Sequence, residues 1–173
     1  MKNYKEKLNK ITTFVFDFDG VLSNGKVLVT SDGDQLRMTD TKDGYAMQYA
    51  LKQGYNVCII SGGYSESMIL RYKGFNNIDI YLQCADKTIT LKEYMDKKQL
   101  LAENIVYVGD DIPDYKVMLM AGLKVCPADA ATEIQNIADY ISIKNGGEGC
   151  VRDIIEQTLR AQDKWFKDNA FHW

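Results

Sequence analysis

Short apolar runs recur along this chain, and the stretches between them are long enough to be helices. Strands are predicted at Thr13–Phe18, Asn56–Ile60, Ile78–Leu82, Ile105–Val108, Leu123–Cys126 and Tyr140–Ile143. Helices are predicted at Gly44–Gln53, Ser65–Lys73, Thr88–Lys98, Asp114–Ala121, Ala131–Ala138 and Gly149–Gln162. Most strand runs lack a clean polar–apolar alternation, as strands covered on both faces do. Strands that alternate with helices make βαβ units, and such units build a parallel sheet. An antiparallel meander is excluded because the connections are of helix length. The fold class that follows is α/β: a single Rossmann-like parallel sheet with helices on both faces. A chain of 173 residues fills one domain, 1–173, and leaves no room for a separate cap domain.

One segment departs from this rhythm. Gly25–Thr39 reads as a hairpin, with strands Val27–Thr30 and Gln35–Thr39 around Ser31-Asp-Gly-Asp34, since Asp-Gly favours the tight turn. Placed directly after the first strand, it is expected to overhang the sheet's C-terminal edge, as a flap on a site or as a packing surface between subunits. The tail 163–173 carries Trp165, Phe166, Phe171 and Trp173. That is too aromatic for a free end, and docking is expected, with another subunit as one surface.

Composition removes several function classes. A net charge of −3 argues against general nucleic-acid binding, which needs phosphate-neutralising cations. No apolar run approaches the ~20 residues of a membrane span, and no apolar leader follows the charged start at Met1–Lys10. A soluble cytoplasmic protein is therefore expected. The four cysteines, Cys58, Cys84, Cys126 and Cys150, include no Cys-x-x-Cys pair, so a zinc site is not expected. None has an arginine six residues later, which removes cysteine-nucleophile phosphatases. The one histidine is His172, which leaves no histidine for a triad or a histidine phosphatase. Acid–base chemistry falls to carboxylates, Lys, Ser or Tyr.

The strand ends supply that chemistry. Phe14-Val-Phe-Asp17-Phe-Asp19-Gly-Val-Leu22 is an apolar strand run ending in two carboxylates, costly to bury without a cation. The second strand run ends in Ser61-Gly62-Gly63, the third leads to Ala85-Asp86-Lys87, and the fourth ends in Gly109-Asp110-Asp111-Ile-Pro-Asp114. Open α/β sheets place their chemistry beyond the carboxyl ends of strands. Several acids, a hydroxyl and an ammonium suit phosphoryl transfer: Mg²⁺ held by carboxylates, and phosphate held by cation, hydroxyl and backbone N–H.

In order and spacing these four segments resemble the motifs of the haloacid dehalogenase (HAD) phosphatases: Asp-x-Asp-Gly-x-Leu, Ser/Thr-Gly, Lys and Gly-Asp-Asp-x-x-Asp. The hairpin in place of a cap, Lys42-Asp43-Gly44-Tyr45 and Gly146-Gly147-Glu-Gly149-Cys-Val-Arg152 resemble its capless branch, the 3-deoxy-D-manno-octulosonate 8-phosphate (KDO 8-phosphate) phosphatases. The related nonulosonate 9-phosphate phosphatases are the alternative. Two departures bear on the sugar: Gly63 stands where KDO 8-phosphate phosphatases often carry a basic residue and nonulosonate enzymes can carry an acid, and Glu148 stands where a basic residue is common. The resemblance implies a Mg²⁺-dependent phosphoric monoester hydrolase, a homotetramer, acting on a small-molecule sugar phosphate in lipopolysaccharide biosynthesis.

It also implies roles. Asp17 is the expected nucleophile and forms an aspartyl-phosphate. Asp19 is the expected general acid–base, and its backbone carbonyl joins Asp17 and Asp110 in holding Mg²⁺. Lys87 neutralises charge on the phosphate and on Asp17. That agrees with its place at a helix start, where a cation is unfavourable without an anion. Asp114 and Asp111 are expected behind the metal ligands, with helix capping as the alternative for Asp111. Ser61 and the N–H of Gly62 are expected on phosphate oxygens. Asp43 and Arg71 are candidate substrate contacts, with Arg71 or Arg152 suited to a sugar carboxylate. Gly146-Gly147-Glu-Gly149 is expected to offer backbone N–H groups to the sugar or to shape an interface. A receiver domain, which also sets an acid pocket and a Lys on a doubly wound sheet, is the reading from a different class. It needs a phospho-acceptor on the third strand, where this chain has Gln83-Cys84.

Overall fold

The computed structural model describes residues 3–172. Its strands are β1 (Thr13–Phe16), β2 (Leu28–Val29), β3 (Gln35–Leu36), β4 (Asn56–Ile60), β5 (Ile78–Tyr81), β6 (Ile105–Val108), β7 (Leu123–Cys126) and β8 (Tyr140–Ile141). Its α-helices are α1 (Tyr4–Leu8), α2 (Thr41–Lys52), α3 (Glu66–Tyr72), α4 (Lys87–Lys98), α5 (Tyr115–Met118), α6 (Thr132–Ile137) and α7 (Cys150–Ala161). Six strands form one sheet in the order β5-β4-β1-β6-β7-β8, and every pairing within it is parallel. The chain works outward from β1 to β4 and β5, then returns to β6 on the other side of β1. The order therefore reverses at β1, and a crevice opens there beyond the strand ends.

The sheet is covered on both faces, which accounts for its continuous apolar strands. Phe14, Phe16, Val57, Ile59, Val106 and Val108 face a core shared with α2 and α7. The intervening residues Val15, Cys58, Ile60 and Tyr107 face a second core built with α4, α5 and α6. Alternate residues of each strand thus bury against different helix layers. Among the described residues no helix is long and apolar enough to cross a membrane.

The differences from the sequence reading have local causes. The first strand run ends at Phe16 rather than Phe18, because Phe18–Leu22 turns back, with the Ser23 N–H bonded to the Phe18 carbonyl at 2.9 Å. Of the helix expected over Asp114–Ala121 only the four-residue α5 forms, directly after a tight turn at Ile112–Asp114. The hairpin strands are two residues each. The charged start forms α1, anchored where Tyr4 stacks on Tyr140 and Lys7 pairs with Asp139 at 2.8 Å. The tail docks on its own chain. Trp165 packs edge-on against Tyr49, under the guanidinium groups of Arg152 and Arg160, and the Tyr45 hydroxyl bonds the Ala170 carbonyl. Phe166 and Phe171 stay exposed, and Trp173 lies outside the described residues.

Candidate active site

The polar residues collect at the point where the strand order reverses. Asp17 and Asp19 leave β1, Ser61–Gly63 leave β4, Asp110–Asp114 leave β6, and Lys87 opens α4 after β5. Together they line a cavity of about 320 Å³. A larger cavity, about 540 Å³, lies beside α7. It is a groove of mixed charge in which Arg152 and Arg160 are both paired with Glu156, and none of the strand-end acids lines it.

Asp17 is buried, and its backbone N–H still bonds the Val108 carbonyl at 2.9 Å. Lys87 Nζ lies 2.7 Å from Asp17 Oδ1 and 2.8 Å from Asp114 Oδ1. Asp114 is engaged at both oxygens: the Tyr107 hydroxyl donates to Oδ1 at 3.0 Å and the Asp110 N–H to Oδ2 at 3.2 Å. It therefore fixes Lys87 and the Asp110 backbone. Carboxylate oxygens of Asp17, Asp110 and Asp114 lie within 4.8 Å of one another.

That crowding is visible in proton affinity. Burial, with the Asp114 charge adding to it, raises the pKa of Asp17 against the pull of Lys87. Burial and the charges of Asp17, Asp114 and Asp111 push Asp110 up to about 8. Burial opposes the charge on Lys87, but Asp17 and Asp114 outweigh it and raise its pKa. One ammonium thus pairs with two of three clustered carboxylates in a poorly solvated place and leaves negative charge uncompensated. The donors are all hard oxygens, so the site fits a small divalent cation such as Mg²⁺.

Two glycines shape this region by close approach. Gly20 sits at φ +87°, and a Cβ there would overlap the Asp110 carboxylate. Gly146 packs on the backbone of Gly20, and the Gly147 N–H bonds the Val21 carbonyl at 2.9 Å. The Gly-Gly-Glu-Gly segment therefore buttresses the loop after Asp19, where the sequence suggested a sugar contact or an interface.

The remaining predicted residues divide. Ser61 is buried, and its Oγ accepts the Gly63 N–H at 3.1 Å. Gly62 and Asp111 line the cavity. Asp111 stands at the start of the Ile112–Asp114 turn but makes no side-chain capping bond. Asp43 and Arg71 are not among the lining residues. Asp43 is buried and accepts the Arg152 N–H at 2.7 Å, so it caps the start of α7. Arg71 Nε bonds Thr39 Oγ1 at 3.0 Å, with its guanidinium over Tyr72 and Phe75.

Sequence reasoning missed the partners of Asp19. Arg37, from the hairpin, sets Nε 2.9 Å from Asp19 Oδ1 and Nη2 3.0 Å from Oδ2, and Ser23 Oγ lies 3.1 Å from Oδ1. The signal was present: a cation in a hairpin predicted to overhang acids. Tyr107 was also missed, because inside an apolar strand run it reads as core.

The arrangement agrees with comparisons to known proteins. Residues 64–154 match the family model of the haloacid dehalogenase-like hydrolases. The 3-deoxy-D-manno-octulosonate 8-phosphate phosphatase KdsC of Salmonella typhi is 34% identical over 158 residues, 91% of this chain and 84% of that protein. The crystal structure of the corresponding phosphatase from Moraxella catarrhalis, in complex with magnesium, phosphate and KDO, superposes with a TM-score of 0.91 at 30% identity, covering 95% of both chains. The cobalt-bound form of the Haemophilus influenzae phosphatase superposes with a TM-score of 0.89 at 25% identity, covering 95% of this chain and 98% of that one. The chain belongs to the haloacid dehalogenase-like hydrolases, in the branch of the KDO 8-phosphate phosphatases.

Proposed function

We propose that this protein hydrolyses KDO 8-phosphate to KDO and inorganic phosphate. The observation that carries the reading is the buried Asp17–Lys87 pair, 2.7 Å apart, inside an acid cluster at the end of β1. Asp17 attacks phosphorus, so that an Asp17 oxygen–phosphorus bond forms as the bond to the sugar oxygen breaks. Asp19 gives its proton to the leaving oxygen. In the second half, Asp19 takes a proton from water, the water oxygen bonds phosphorus, and phosphate leaves Asp17. Lys87 neutralises charge on Asp17 and on the transferring group. Ser61 Oγ and the Gly62 N–H hold phosphate oxygens.

Asp17, Asp110 and the Asp19 carbonyl would hold Mg²⁺, which when bound offsets the carboxylate charge and polarises the phosphoryl oxygens. Asp114 stands behind them through Lys87 and the Asp110 amide, and Asp111 stands at the cavity rim. The exposed apolar hairpin residues Leu28, Val29 and Met38 support self-assembly, which this reading takes to be a homotetramer. We place the reaction in the cytoplasm, in lipopolysaccharide biosynthesis.

The test is phosphate release with Mg²⁺ from KDO 8-phosphate, nonulosonate 9-phosphates and p-nitrophenyl phosphate. Highest kcat/KM on KDO 8-phosphate, lost with EDTA, is expected. Preference for a nine-carbon substrate would overturn the sugar assignment but not the chemistry. The receiver reading fails on the family and on a third strand, β5, that reaches no acid at its tip.

A further inference from the structure

We propose that Arg37 is the positioning residue for Asp19, and that the bare backbone at Gly63 is what admits it. The inference rests on the proposed role of Asp19 in proton transfer. Arg37 follows β3, in a hairpin whose other long side chains face solvent: Leu36 is 41% exposed and Met38 77%, whereas the Arg37 side chain is 4% exposed. The extended backbone turns residue 37 to the face opposite its neighbours, and that face looks onto the site.

There the guanidinium spans both oxygens of Asp19. Its remaining reach is also occupied, since Nη1 bonds the Gln35 carbonyl at 3.0 Å and Nη2 lies 3.4 Å from Gln35 Oε1. A planar fork held at both ends fixes the carboxylate plane of Asp19 as well as its position, which an ammonium does not do. Among the described residues Asp19 has no comparable restraint from elsewhere: Ser23 Oγ touches one oxygen at 3.1 Å.

Gly63 sits against this pair. A Cβ at 63 would lie 3.2 Å from Asp19 Oδ2 and 3.3 Å from Arg37 Nη2. A methyl group there presses on both partners, which must give by a few tenths of an ångström to admit it. Arg37 and Gly63 thus form a matched set: the cation arrives from the hairpin, and position 63 leaves the room. The same contact ties the hairpin to the catalytic loop without any other charged pair between them among the described residues.

Both Asp19 oxygens accept from the fork, the arrangement of a group that takes the proton from water in the second half. That transfer is sensitive to misplacement of the base, at about 10²-fold per ångström. Arg37→Gln is therefore expected to slow breakdown of the aspartyl-phosphate and to lower kcat on the sugar phosphate ~10–100-fold with KM within about threefold. A similar loss is expected on p-nitrophenyl phosphate, because water attacks the same intermediate whichever group has left. Arg37→Lys should recover only part of the loss, and Gly63→Ala should likewise lower kcat on both substrates. The double variant Arg37→Gln/Gly63→Ala should be no worse than Arg37→Gln alone, because the contact is already gone. A loss confined to the sugar phosphate, fully additive losses, or a raised KM at constant kcat would overturn the proposal; the last would make Arg37 a substrate ligand.

Hydrogen exchange over residues 26–39 reads the pair without reference to turnover. Arg37→Gln and Gly63→Ala should both speed exchange there and leave β1 and β6 unchanged. Unchanged hairpin exchange sinks the inference even in an active enzyme. A wild type inactive on every phosphate ester, with the exchange effect present, would count against the functional reading alone.

Discussion

Lys87 Nζ stands 2.7 Å from Asp17 Oδ1, in a buried ion pair that joins the end of β1 to the start of α4. Asp114 pairs with the same ammonium and Asp110 completes the acid cluster, so removing Lys87 leaves uncompensated buried charge. Lys87→Met is expected to destabilise the fold by about 3 kcal/mol and to reduce turnover at least ~10²-fold. Mg²⁺ should raise the thermal midpoint of the variant more than that of the wild type. Calorimetry with and without Mg²⁺ measures this, and a variant as stable as wild type in metal-free buffer would mean the pair is not needed for folding.

Metal removal separates chemistry from architecture. The sheet is packed by two apolar cores that do not involve the acid cluster. EDTA is expected to abolish phosphatase activity while leaving the far-ultraviolet circular dichroism intact. Mg²⁺ at ~100 times its dissociation constant should add about 2.7 kcal/mol to stability, and Asp110→Asn should shrink that gain. An unaltered gain in this variant would move the metal elsewhere.

Asp43 offers a pH test away from the cavity. Burial pushes it up to about 6, with the Arg152 N–H pulling the other way. The folded state therefore holds a proton that the unfolded chain, at an ordinary carboxylate value near 4, has lost. Stability from this group is full below about pH 4 and falls as pH rises towards 6, by an amount on the order of 3 kcal/mol. Asp43→Asn removes the ionisable group. The stability of the variant relative to wild type should climb between pH 4 and pH 7 in denaturant titrations. A difference flat with pH would show that Asp43 ionises normally in the fold.

Cutting the chain after Gln162 uncovers Tyr49 and removes the packed Trp165. A loss of about 2–4 kcal/mol follows by analogy with emptied core sites, seen as a lower thermal midpoint. Below that midpoint, p-nitrophenyl phosphate turnover should continue, since among the described residues none from the tail lines the cavity. An unchanged midpoint would show that the tail contributes nothing to stability.

The sheet was legible because both periodicities were present: buried strands with no polar face, and helix-length connections. β4, β6 and β7 begin and end where the sequence places them. Boundaries failed where chemistry overrides propensity. Phe18 reads as strand, yet the chain must leave the sheet at Asp17 to bring Asp19 over the cavity. The strand-end residues Asp17, Ser61, Lys87 and Asp110 meet because parallel strands share one carboxyl edge, which a sequence reading can use. Arg37 was hidden for the opposite reason: its contact with Asp19 depends on how far a hairpin folds over, which no periodicity records. Asp43, beside a glycine in a charged segment, reads as a site residue, but its buried bond to the Arg152 amide makes it a helix cap.

The central claim is that Asp17 carries the phosphoryl group. An acid-quenched single turnover of KDO 8-phosphate with Mg²⁺, followed by peptide mass spectrometry, reads it directly. In the wild type, phosphate is expected on the peptide containing Asp17. Asp17→Asn, checked for an intact fold by circular dichroism, should show neither the adduct nor release above ~10⁻³ of the wild-type rate. Phosphate release by Asp17→Asn at a rate near wild type, or an adduct on another residue, would contradict the account.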